Sequence, residues 1–120
     1  MAKIMVVEDS DHFREGVVMA LESQGHDVIQ LNDGIHVEKE LLKDSFDLII
    51  MDIVMPEKGG VETMIDLRSN LGDTKLLLLT GKVSKDSTVL KNMLNHFGGS
   101  KVIFKPFKRN ELLEEINILI

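Results

Sequence analysis

Five polar positions in this chain carry groups that can act together: Glu8, Asp9, Asp52, Thr80 and Lys105. Each stands at the end of a short apolar run, Glu8 and Asp9 as a pair. Three are carboxylates, and carboxylates that converge need a proton or a cation, because two of them about 5 Å apart repel by roughly 3 kcal/mol at an effective dielectric of about 20. The chain has no cysteine, and its four histidines (His12, His26, His36, His96) show no metal-ligand spacing. The ligands on offer are therefore hard oxygens, which suit Mg²⁺ or Mn²⁺ rather than zinc. Lys105 adds a point charge suited to a phosphate and Thr80 a hydroxyl. Carboxylates, a divalent cation, a lysine and a threonine are the equipment of phosphoryl transfer, in which the protein mostly positions groups and neutralises charge.

The elements that must position these residues are legible in the hydrophobic pattern. Strand-length apolar runs cover Lys3 to Val7, Asp27 to Leu31, Phe46 to Met51, Lys75 to Leu79 and Val102 to Phe104. Between and after them, apolar residues recur at helical spacing. These are Phe13, Val17, Ala20 and Leu21, closed by Gly25; Ile35, Leu41 and Leu42, with Glu38; Val61, Met64, Ile65 and Leu71; Val89, Leu90, Met93, Leu94 and Phe97, closed by Gly98-Gly99; and Leu112, Leu113, Ile116 and Leu119. Strand then helix, five times over, predicts an α/β fold with a parallel sheet between two helical layers. The first, third and fourth strands are apolar throughout and so central, whereas Asp27 and Gln30 mark the second as an edge. Ligands of such sheets bind at the carboxyl ends of the strands. The five candidate residues fall at four of those five ends, and Asn32-Asp33-Gly34 at the fifth reads as turn and capping chemistry.

Taken singly, each candidate has an ordinary explanation. Glu8-Asp9 could cap the first helix, Asp52 could be a loop residue, Thr80-Gly81 a turn and Lys105 a solvated lysine. Their joint placement on one edge gives the pattern its weight. The seven methionines read mostly as core. Glu22, Glu38, Lys39, Glu40, Glu114 and Glu115 read as polar helix faces. A net charge of −6 argues against nucleic acid or an anionic membrane as the main partner. No apolar run is long enough to span a bilayer, and the absence of cysteine suits the cytoplasm. Residues 1–120 are expected to form one domain.

Four stretches resemble the receiver domain of two-component response regulators, in order and at matching spacing over the whole chain. They are Val6-Val7-Glu8-Asp9-Ser10; Met51-Asp52-Ile53-Val54-Met55-Pro56, with Gly60 eight residues after Asp52; Leu79-Thr80-Gly81; and Lys105-Pro106-Phe107. The resemblance implies a flavodoxin-like three-layer sandwich, with five strands in the order 2-1-3-4-5 and five helices. It implies that Asp52 accepts a phosphoryl group from a histidine of a partner kinase. Glu8, Asp9, Asp52 and the backbone carbonyl of Val54 would hold Mg²⁺ or Mn²⁺. Thr80 and Lys105 would each contact a phosphoryl oxygen, with the Lys105–Pro106 bond cis. The implied partners are a sensor histidine kinase or phosphotransfer protein, and a downstream protein docking on the fourth helix, fifth strand and last helix. The chain would be a cytoplasmic signalling protein catalysing only its own phosphorylation and dephosphorylation.

Three positions depart from the family pattern. Val102 stands where many receivers carry an aromatic residue that turns inward with the threonine; Phe104 shares its face. Val54 and Lys82 lie two residues after Asp52 and Thr80, where they are expected to lengthen the life of an aspartyl phosphate. Other readings are a receiver cut from a hybrid kinase or transcription regulator, or a phosphorelay shuttle. Enzymes resembling haloacid dehalogenases or Toprim domains commonly use an Asp-x-Asp pair, which Val54 breaks. A flavin mononucleotide binder would need an anion-loving loop where Glu8 and Asp9 stand.

Overall fold

Side chains alternate between the two faces of a sheet, and the β-strands formed by residues 4–7, 48–52 and 76–80 are buried on both, whereas the edge strand at residues 27–31 is only part-buried. The computed structural model describes residues 1–52, 72–81 and 100–120. Within them, β1 (Lys3–Val7), α1 (Asp11–Ser23), β2 (Asp27–Leu31), α2 (Val37–Lys43), β3 (Leu48–Asp52), β4 (Lys75–Thr80), β5 (Ser100–Phe104) and α3 (Arg109–Leu119) follow in chain order. The five strands form one parallel sheet in the order β2-β1-β3-β4-β5. The helices expected around Val61–Leu71 and Val89–Phe97 lie outside the described residues. No described helix is long and apolar enough to cross a membrane.

Two apolar layers sandwich the sheet. Ile4, Val6, Leu48, Ile50, Leu77, Leu79 and Ile103 pack with Val17, Val18 and Leu21 of α1 and with Leu112 and Ile116 of α3. Met5, Val7, Ile49, Met51, Leu76 and Leu78 point the other way and pack with Val37 of α2 and with Phe46. The period-2 alternation of side chains thus assigns α1 and α3 to one face and α2 to the other. Ser10 caps α1, its Oγ accepting the Phe13 N–H at 3.3 Å. Gly25 follows the C-cap at φ +85°, a conformation glycine adopts without strain.

Several elements depart from the sequence pattern in detail. β3 begins at Leu48 rather than Phe46, and its last residue is Asp52 itself; β4 likewise ends on Thr80. β5 starts two residues earlier than expected, at Ser100. The buried stripe of α2 is Val37 with half-buried Leu41, whereas Ile35 and Leu42 are 49% and 82% exposed. Val37 and Leu41 are one turn apart, and Leu42 is rotated about 100° from that stripe. Asp33 accepts the Ile35 N–H at 2.9 Å, so it forms a turn rather than capping α2, whose N-cap is His36. Of the four described methionines, Met5 and Met51 are core but Met1 and Met19 are exposed.

These burial values separate positions that look alike in sequence. Leu77→Ala is expected to cost about 2–5 kcal/mol in chemical denaturation, because Leu77 has no exposed surface. Leu42→Ala should stay within about 0.5 kcal/mol of the parent.

Candidate metal and phosphoryl site

The register of the sheet assembles the site. Val7 pairs with Met51, so Glu8 follows β1 beside Asp52 at the end of β3. Asp52 pairs with Leu79 and Thr80 with Phe104, so Thr80 and then Lys105 complete the same edge. Glu8 is 1% exposed, Asp52 7% and Thr80 fully buried, whereas Asp9 is exposed. Alternation puts Asp52 on the face that carries α1 and α3, with Leu48 and Ile50. It puts Thr80 on the opposite face, with Leu76 and Leu78.

Lys105 ties the acids together. Its Nζ donates to Glu8 Oε2 at 3.1 Å and to Asp52 Oδ2 at 2.9 Å. Glu8 Oε1 accepts the Ser10 N–H at 3.3 Å. Burial and the neighbouring Asp52 charge push the Glu8 pKa up from 4.5 to about 7, against the pull of Lys105. Burial pulls the Lys105 ammonium down, but its bonds to Asp52 and Glu8 outweigh this and hold its pKa above the ordinary lysine value. The Lys105–Pro106 bond is cis, as the family resemblance implies, and the Lys105 N–H donates to the Thr80 carbonyl at 2.8 Å.

The residues fit a hard divalent cation. Glu8, Asp9 and Asp52 each offer a carboxylate oxygen, and these oxygens lie within 4.8 Å of one another. Val54, expected to add a carbonyl, and Lys82 lie outside the described residues. Thr80 reaches the edge, but its Oγ1 is buried with no hydrogen-bond partner among the described residues. Val102 and Phe104 are half-buried on the same face as Thr80.

Two residues at the site escaped the sequence pattern. Arg14 donates from Nη1 to the Glu8 carbonyl at 2.7 Å, from Nη2 to Asp11 at 2.6 Å and from Nε to Gln30 at 3.3 Å. It thereby pins the acidic loop to α1 and β2. Phe13, which the helical period marks only as core, lies under Lys105. Its position four residues after Asp9, one turn into α1, is the available hint.

A doubly wound sheet whose central strands end in carboxylates, faced by a lysine from the edge strand, defines a flavodoxin-like α/β protein with an acidic pocket at its switch point. Residues 4–117 match the response regulator receiver domain, and the chain belongs to that family. It is 33% identical over 120 residues to the transcriptional regulatory protein CpxR of Escherichia coli, covering 100% of this chain and 50% of that one. The first curated relatives are longer, with this chain spanning 17% to 50% of their length. Chemotaxis protein CheY4 of Vibrio cholerae superposes with a TM-score of 0.87 at 30% identity, over 100% of this chain and 99% of that one. The response regulator TrrA of Thermotoga maritima, solved in complex with Mg²⁺-BeF, superposes with a TM-score of 0.84 at 28% identity, over 100% of both chains.

The raised Glu8 pKa has a definite sign for stability. Between 4.5 and 7 the folded, metal-free protein binds a proton that the unfolded chain releases, so stability falls as pH rises through that window. Glu8→Gln stays neutral and removes this component. Thermal melts in a chelator should show the wild type losing about 5 °C against Glu8→Gln across the window.

Proposed function

We propose that Asp52 is the phospho-acceptor of this receiver domain, taking a phosphoryl group from a phosphohistidine of a sensor kinase or phosphotransfer protein. The observation that carries the reading is the buried Asp52 carboxylate at the end of a central strand, bonded to Lys105 and within a metal ligand's reach of Glu8 and Asp9. Glu8, Asp9 and Asp52, with the Val54 carbonyl, would hold Mg²⁺ or Mn²⁺, which when bound screens the carboxylates from an incoming anionic phosphoryl group. TrrA carries Mg²⁺-BeF in its own structure, which supports magnesium here.

An Asp52 oxygen forms the new P–O bond as the P–N bond to the donor imidazole breaks. The electron pair stays on the imidazole nitrogen, which takes a proton from solvent. The Lys105 ammonium, already 2.9 Å from Asp52, is placed to pair with an oxygen of the transferred group. The Thr80 hydroxyl has a donor to offer, but it lies on the opposite face by alternation. Reaching the phosphoryl group requires the end of β4 to move inward. That movement couples the chemistry to Val102 and Phe104 on the same face.

The added charge of about −1.5 to −2 shifts the chain between two states that a protein partner distinguishes. We place that partner on the fourth predicted helix, β5 and α3. On this reading the chain is one cytoplasmic receiver unit whose only catalysis is its own phosphorylation and dephosphorylation. Incubated with Mg²⁺ and acetyl phosphate, the protein should gain one acid-labile phosphoryl group by intact mass. Asp52→Ala should gain none, and Lys105→Ala should react on the order of ten-fold more slowly. An adduct that persists in Asp52→Ala contradicts the assignment.

A further inference from the structure

The proposed chemistry leaves one contact of Lys105 without a role. Its ammonium lies 4.2 Å from the centre of the Phe13 ring, within cation–π range. Phe13 meets Phe107 edge to face, with ring centres 5.6 Å apart and planes at 82°. The lysine stem lies close against Gly81, where an added Cβ would come within 3.3 Å of Lys105 Cβ. Phe13 is itself anchored, because its N–H donates to Ser10 Oγ and its neighbour Arg14 grips the Glu8 carbonyl. The Phe13 backbone is therefore fixed to the turn that carries the acidic loop, and the ring packs against Phe107.

A lysine ammonium is a compact charge on a flexible stem. Glu8 and Asp52 also face the site of a metal ion and then of a phosphoryl group, which would compete with the ammonium for those carboxylates. The ring neither titrates nor ligates metal, so its attraction survives both events. We propose that Phe13 is a positioning residue whose ring face keeps the Lys105 ammonium at the pocket, ready for the phosphoryl group, when the carboxylates are engaged elsewhere. The inference rests on Asp52 as acceptor.

The test uses the full chain, saturating Mg²⁺ and phosphoramidate, from which Asp52 displaces ammonia as the P–N bond breaks. Phe13→Leu keeps an apolar side chain but removes the ring. It should slow phosphoryl uptake about five-fold, close to 1 kcal/mol at about 1.36 kcal/mol per ten-fold. Phe13→Tyr should restore most of the rate, and Phe13→Leu should cause no further slowing in a Lys105→Ala background. Wild-type speed in Phe13→Leu, or equal slowing in both backgrounds, would overturn the proposal while leaving Asp52 in place. If the wild type takes no phosphoryl group, the Asp52 reading fails. NMR then still decides the ring contact, and it also serves if Phe13→Leu does not fold. The Lys105 ε-methylene protons should lie upfield of those of exposed Lys39 and stay there when Mg²⁺ is added. Movement to the Lys39 position on adding Mg²⁺ would contradict the role of the ring.

Discussion

Negative charge cannot be gathered in a nearly dry pocket unless something answers it. Glu8 and Asp52 are buried side by side, and the Lys105 ammonium between them is the answer among the described residues. Charges left unpaired there would cost several kcal/mol. Burial first, and the Asp52 charge second, hold the Glu8 pKa above its ordinary value against the pull of Lys105. The pocket therefore favours added positive charge, which a divalent cation bound by oxygen ligands would supply. A phosphoryl group on Asp52 would deepen that preference, replacing one negative charge with a larger one and giving Lys105 a stronger partner.

The sheet makes this arrangement possible. Lys105 and Glu8 are 97 residues apart in sequence, yet parallel pairing in the order β2-β1-β3-β4-β5 brings their strand ends to one edge. The apolar interiors of β1, β3 and β4 fix the register, because a one-residue slip would turn a buried row toward the wrong layer. The same register that buries Ile4, Val6, Leu48 and Ile50 against α1 and α3 aims Asp52 into the pocket. It also puts Thr80 on the opposite face, so on the proposed reading its hydroxyl would have to move to meet a phosphate.

Much of this was legible in the sequence, for a physical reason. Strands covered on both sides need apolar interiors, so the runs within Lys3–Val7, Phe46–Met51 and Lys75–Leu79 announced themselves, and the polar residue after each marked the candidate edge. The buried face of α2 was not legible, because seven residues hold too few apolar positions to choose between Leu41 and Leu42. The orientation of Thr80 depended on whether β4 ended before it or on it. The roles of Phe13 and Arg14 depend on contacts with Lys105 and with the Glu8 backbone. A helical period reports which face is apolar, not which residue at its rim touches a distant lysine.

The central claim is that the edge built by this register delivers a phosphoryl group to one carboxylate, that of Asp52. Borohydride reduces an acyl phosphate of aspartate to homoserine and so marks the acceptor covalently. Applied to the Mg²⁺-treated, phosphorylated protein and followed by peptide mass mapping, it should convert residue 52 alone. Homoserine at Asp9, or an unmodified Asp52 in protein shown to carry the phosphoryl group, would contradict the account.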